Sequence, residues 1–145
     1  MVEVVHAAVG GRTYQLTDDP SAVDRDSAWN FLSTQAYWAR WRQRADFEQQ
    51  LDSAWRAVSA HCDTGQVGFA RAVSDGVAIA YLADVFVAED ARGQGVARAM
   101  LRLMIEHGPG AEFRWMLHTK DAHELYREFG FVDPDDRFLE RPPTR

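Results

Sequence analysis

Polar and apolar positions alternate along "RTYQLTDDP", residues 12–20, which predicts a strand closed by Asp-Asp-Pro. The preceding "VEVVHAAV" pairs with it across Gly10-Gly11 in this reading. From about Ala22 to Trp55 the spacing turns helical, as two helices broken near Trp41-Arg42. Asp26 and Ser27 are the expected caps of the first, and "RADFEQQLDSAW" carries the second. Three strands follow, "AVSAHC", "VGFARAV" and "VAIAYLADVFV", separated by the turn residues Asp63–Gly65 and Asp75-Gly76. They read as an antiparallel meander. A helix from about Gly95 to His107 then carries Val96, Ala97, Met100, Leu101, Met104 and Ile105 on one stripe, with Arg102 and Glu106 as an i,i+4 pair outside it. Gly108-Pro109-Gly110 ends it. "FRWMLHT" is the next strand, and "DAHELYREFG" is a short helix with Asp121 as its N-cap. "FVDP" and "RFLERP" supply terminal strand material. A meander followed by strand–helix–strand–helix–strand predicts an α/β fold of the layered α+β kind, with a largely antiparallel sheet.

Composition narrows the class without naming it. At 145 residues, with 46% hydrophobic and 26% charged, the chain reads as one soluble globular domain spanning 1–145. No repeat, low-complexity tract or linker divides it. A net charge of −6 argues against a nucleic-acid partner. No stretch approaches the ~18 apolar residues of a membrane span, and the N-terminus lacks the pattern of a signal peptide. The one cysteine, Cys62, excludes an intramolecular disulfide and a cysteine-based zinc cluster. It fits a cytoplasmic location and a small apolar filler.

The chemistry begins at "EDARGQGVARAML", where two glycines lie between a strand and a helix. Glycine lets backbone approach a ligand closely, and the first N–H groups of a helix have no internal acceptors. Helix polarity adds partial positive charge, so such a loop suits phosphate or pyrophosphate. Arg92 adds a forked cation. The spacing lacks the Lys-Ser/Thr of a nucleotide P-loop and differs from the dinucleotide fingerprint. A tight strand-to-helix turn is the plainer alternative.

"VFVAEDARGQGVA" resembles the motif of the GNAT acyltransferase superfamily, Arg/Gln-x-x-Gly-x-Gly/Ala opening a helix, through Arg92, Gly95 and Ala97. "TKDAHELYREFGF" resembles the family's Asn-x-x-Ala-x-x-Leu-Tyr-x-x-x-Gly-Phe segment through Ala122, Leu125, Tyr126, Gly130 and Phe131. The two motifs cover roughly residues 79–131. The resemblance implies a mixed, mostly antiparallel sheet flanked by about four helices. It implies acetyl-CoA or another acyl-CoA as co-substrate and no metal. Backbone amides of Arg92, Gly93, Gln94, Gly95, Val96 and Ala97 would hold the pyrophosphate. Val85, Phe86 and Val87 would pair with the pantetheine arm, at a bulge whose amide polarises the thioester carbonyl. Thr119 stands where the family has Asn, which alters the cofactor contact made there.

The resemblance further implies N-acetyltransfer to a primary amine by direct transfer. Tyr126 would be the acid that protonates the departing thiolate; the plainer reading is a ring packed beside Leu125 and Phe129. Asp84 interrupts an apolar strand beside the expected thioester, which makes it the first candidate base. A carboxylate held by backbone amides or by Arg71 is the alternative. His118 is the second candidate, and water the third. The acceptor cleft falls to "FLSTQAYWARWRQRADF", whose aromatics either line an amine pocket or build core. The acceptor is expected to be a small-molecule or peptide amine. Homodimers are common in the family. A non-catalytic acyl-CoA sensor of the same fold is the competing reading.

Overall fold

A computed structural model describes residues 2–6 and 11–145. Among the described residues, six strands form one sheet in chain order: β1 (Val2–His6), β2 (Thr13–Thr17), β3 (Arg56–Cys62), β4 (Gly65–Ser74), β5 (Ile79–Val87) and β6 (Arg114–Met116). Strands β1 to β5 pair antiparallel, and β6 joins β5 in parallel. A parallel join needs a crossover. It is made by α3 (Val96–Leu101), which continues as a π-helical turn over Arg102–Glu106, with the His107 N–H donating to the Arg102 carbonyl at 2.9 Å. Two further helices, α1 (Arg25–Thr34) and α2 (Arg44–Asp52), precede β3, and α4 (His123–Arg127) follows β6. Among the described residues, this is the mixed, mostly antiparallel sheet with four helices that the resemblance implies.

The sheet separates two cores. Met100, Leu101, Leu103 and Met104 are fully buried, packed with Val58, Ala60, Ala70, Ala72 and Leu82 of the sheet. Each such side chain contributes about 1.5–3 kcal/mol by leaving water. The buried stripe is wider than the sequence pattern, because Ala99 and Leu103 join it while Ala97 is half-buried. On the opposite face Ala28, Leu32, Phe47 and Leu51 of α1 and α2 meet Phe69 and Phe86.

Local details depart from expectation. The cap of α1 is Asp24, whose carboxylate accepts from the Ser27 N–H at 3.0 Å. An N-cap side chain must reach the N2 or N3 amide, and Asp26 and Ser27 already lie inside the first turn. At α4 the capping position is Ala122, and the acceptor of its N–H is Thr119 Oγ1 at 3.1 Å, so Asp121 is not the cap. The expected terminal strand does not form. Among the described residues, 131–145 make no sheet pairing. Pro134, Pro142 and Pro143 lack amide donors, and Val132 and Leu139 are 81% and 92% exposed, so no apolar face anchors a strand there. Strands β1 and β2 pair as expected, although Gly10 lies outside the described residues.

Candidate active site

The segment joining β5 to α3 is built to leave amides open. After the short 3-10 turn Glu89–Ala91, Gly93 and Gly95 take φ of 74° and 85°, a region that costs residues with a Cβ. An added Cβ at either would meet open space, so backbone conformation and not crowding requires glycine. Among the described residues, none of the N–H groups of 93–98 finds an acceptor; the next, Ala99 N–H, donates to Gly95 at 3.0 Å. Side chains brace the loop from outside. Arg92 Nε donates to the Val87 carbonyl at 3.0 Å. Gln94 accepts from the buried Tyr14 hydroxyl at 2.6 Å and donates to the Asp90 carbonyl at 3.2 Å.

Strand β5 leads into this loop through an open edge and a bulge. It pairs with β6 only over Ile79–Tyr81 among the described residues, so Leu82–Val87 have no strand partner on that side. On its other side Arg71 faces Ala83 and Phe69 faces Phe86, which sets Asp84 and Val85 together opposite Ala70. Asp84 adopts φ 55°, turning its side chain with Arg71 toward α1 and α2. Phe86 is anchored there by stacking on Phe31 at 4.0 Å, whereas Val85 and Val87 lean on the α3 core. The edge of 85–87 that turns away from β4 therefore has no strand partner, with the Val87 carbonyl already accepting from Arg92, while the side chains are held.

Tyr126 of α4 is 8% exposed, its ring edge-on to Phe131 at 5.7 Å. Burial, with smaller contributions from Tyr37 and Asp121, pushes its phenol up to about 12. Among the described residues its hydroxyl has no hydrogen-bond partner, and it faces a cleft of about 510 Å³ shared with Val85, Thr119, Arg71 and Trp38. The connection between α1 and α2 forms one wall of this cleft. Tyr37 stitches it down by accepting from the Lys120 N–H at 3.0 Å.

At the cleft floor Asp84 is held by four donors. Its carboxylate accepts from Arg42 Nη1 and Nη2 at 2.8 and 2.9 Å, Arg71 Nε at 2.6 Å and Trp38 Nε1 at 2.9 Å. Burial works to raise its pKa, but the Arg42 bonds and the two guanidinium charges outweigh that and hold it below the usual carboxylate value. The arginine pairing weighed as the alternative for Asp84 is thus present, with Arg42 added to Arg71. A carboxylate so saturated is a poor proton acceptor. His118 is also engaged at both nitrogens: Nδ1 with the Tyr81 hydroxyl at 2.5 Å, and Nε2 with Glu140 at 2.7 Å. Arg42, Trp38 and Tyr37 escaped the sequence reading as named site residues. The signal was the mixture of arginines with aromatics in "YWARWR", but it does not show which of them turn inward.

No cluster of His, Cys, Asp and Glu among the described residues has the arrangement to hold a metal ion, and no described helix is long and apolar enough to cross a membrane.

Comparisons with known proteins identify the family and the fold. The acetyltransferase (GNAT) domain family matches residues 54–133, more than half of the chain. A Gibberella zeae protein named for an inferred acetyltransferase activity is 27% identical over 136 residues, covering 91% of this chain and 73% of its own. A crystal structure from Xanthomonas campestris pv. campestris, assigned to the same family, is 32% identical with a TM-score of 0.83, covering 90% of this chain and 93% of that one. Glucosamine-6-phosphate N-acetyltransferase from Arabidopsis thaliana shares the fold at 9% identity, with a TM-score of 0.59 over 88% of this chain and 97% of its own.

Proposed function

The chain belongs to the GNAT acetyltransferase family, and from that premise we propose that it moves an acetyl group from acetyl-CoA directly to a primary amine. The observation that carries this reading is the run of amides 93–98 without acceptors, at the end of a strand whose edge is open. Those donors fit a diphosphate, whose oxygens accept without offering protons. Arg92, Gly93, Gln94, Gly95, Val96 and Ala97 hold it, and the backbone of Val85, Phe86 and Val87 receives the pantetheine arm as an added strand. Thr119 keeps its hydroxyl proton for the same molecule, because its oxygen already accepts from Ala122.

Acetyl-CoA supplies an activated acyl carbon and a thiolate leaving group. The chain must orient the amine, stabilise charge on the carbonyl oxygen and deliver one proton. For the second task, the bulge at Asp84-Val85 is where a main-chain amide can leave the ladder and serve the carbonyl oxygen. For the third, Tyr126 carries its proton at neutral pH, as any phenol does, and burial pushes it further up, to about 12. A C–N bond forms and the C–S bond breaks. The phenol proton passes to sulfur, the amine proton leaves to water, and solvent restores the phenol. Asp84 acts as a positioning residue for Arg42 and Arg71, since its lone pairs are taken, and His118 is similarly occupied. Calorimetry with CoA, followed by thiol release from acetyl-CoA against a panel of amines, tests the reading. CoA uptake at micromolar to millimolar ligand with amine-dependent thiol release is the expected result. No uptake at millimolar CoA refutes the site. Uptake without release for any amine returns the function to a non-catalytic acyl-CoA sensor.

A further inference from the structure

The floor of the acceptor cleft carries an uncompensated cation. Arg42 and Arg71 share Asp84, so two positive charges meet one negative charge and the group is left at +1. The two guanidiniums are spent differently. Arg42 gives Nη1 and Nη2 to Asp84, Nη1 also to Gln50, and Nε to the Ala39 carbonyl. Arg71 gives Nε alone, and its four N–H bonds on Nη1 and Nη2 meet no acceptor among the described residues. Its side chain is only 9% exposed, and it lines the cleft that Tyr126 also faces. Neither Nη atom is among the polar atoms sealed from solvent, so the fork is open to water and to a ligand entering from the cleft.

We infer that Arg71 is the receptor for a carboxylate on the acceptor, so that the amine substrate is an amino acid or a small amino-carboxylate. The inference deepens the acetyl-transfer reading, and its kinetic arm rests on that reading. A guanidinium fork matches the two oxygens of a carboxylate in one plane, and a single negative charge neutralises the +1 floor. Asp84 fixes the Arg71 plane through Nε and leaves the end-on fork of Nη1 and Nη2 for another carboxylate. The cleft wall adds Lys120, held over the Tyr37 ring at 5.7 Å, with Asp121 and the His118–Glu140 pair nearer the solvent. The chain's overall negative charge, which by itself steers toward cationic amines, is thus reversed locally where the acceptor must bind.

The test uses matched acceptors: amino acids, their amides and the corresponding decarboxylated amines, assayed by thiol release at saturating acetyl-CoA. The free acids should exceed their partners in kcat/KM by about 10- to 150-fold, the range of a hydrogen bond to a charged group. Arg71→Gln keeps a donor for Asp84; it should raise KM for the acids by that factor and leave kcat and the acetyl-CoA KM unmoved. Arg71→Lys, which retains charge without the fork, should recover only part. Calorimetry of the same acids with the unloaded protein, wild type and Arg71→Gln, is independent of turnover, so a failure of acetyl transfer remains distinguishable. Amides used as well as acids, equal losses for both in Arg71→Gln, phosphorylated amines accepted in place of carboxylates, or no binding of any acid at about 10 mM, roughly 100-fold above the ~0.1 mM usual for small substrates, would overturn the assignment.

Discussion

Replacing Asp84 by alanine removes a carboxylate whose side chain is 2% exposed and which accepts four hydrogen bonds. Two guanidiniums, 2% and 9% exposed, would then face each other without their counter-ion. Removing one partner of a buried pair costs about 3–5 kcal/mol. For a domain of this size that lowers Tm by roughly 6–20 °C. Asp84→Asn keeps both shape and tolerance of the left-handed backbone at φ 55°, so it should fall between wild type and Asp84→Ala. The effect has a defined pH dependence. Because the folded pKa is lowered, the stabilisation is fully present above the unfolded value of about 3.9 and is lost as pH falls through the lower folded value. Urea unfolding of both proteins should therefore show a constant gap from neutral pH down to about pH 5, closing below about pH 3.9. A Tm difference under about 2 °C at pH 7, or a gap that widens in acid, would show that the carboxylate does not hold the two arginines.

Tyr126→Phe should lower kcat by about 10²- to 10⁴-fold with CoA affinity intact, and in an ultraviolet titration it should delete the last phenol to ionise, near pH 12; unchanged turnover removes the acid role. Gly95→Ala imposes a Cβ at φ 85°, for about 1–2 kcal/mol, and should both lower Tm and weaken CoA binding in calorimetry, because it disturbs amides 93–98; a variant that matches wild type in both would refute the backbone cradle.

Much of the fold follows from periodicity. Alternation located β2 to β5, and "DTGQ" and "SDG" placed the hairpins, because short antiparallel ladders are governed by neighbours in sequence. The terminal strand failed for the opposite reason: nothing local in "RFLERP" says whether a sheet edge waits for it. The glycine loop was legible because its chemistry lies in the main chain, and two glycines announce it. The Asp84 cluster was half legible. A charge inside "YLADVFV" signals that a partner exists, and Arg71 was within reach on the adjoining strand. Arg42 was not, since it arrives from 42 residues away through a connection that turns at Ala39, whose φ of 50° no sequence rule assigns to alanine.

The parting of β5 from β6 has a further meaning for how the molecule meets others. Unpaired strand rims normally invite another polypeptide to add itself, and proteins blunt them with charge or proline. Here the vacancy lies within the sheet, walled by residues 117–119 and roofed by the Tyr37 stitch to Lys120. An extended arm carrying amide donors and acceptors can take the place of the missing strand there, so hunger for hydrogen bonds is turned inward to a cleft instead of outward to a neighbour.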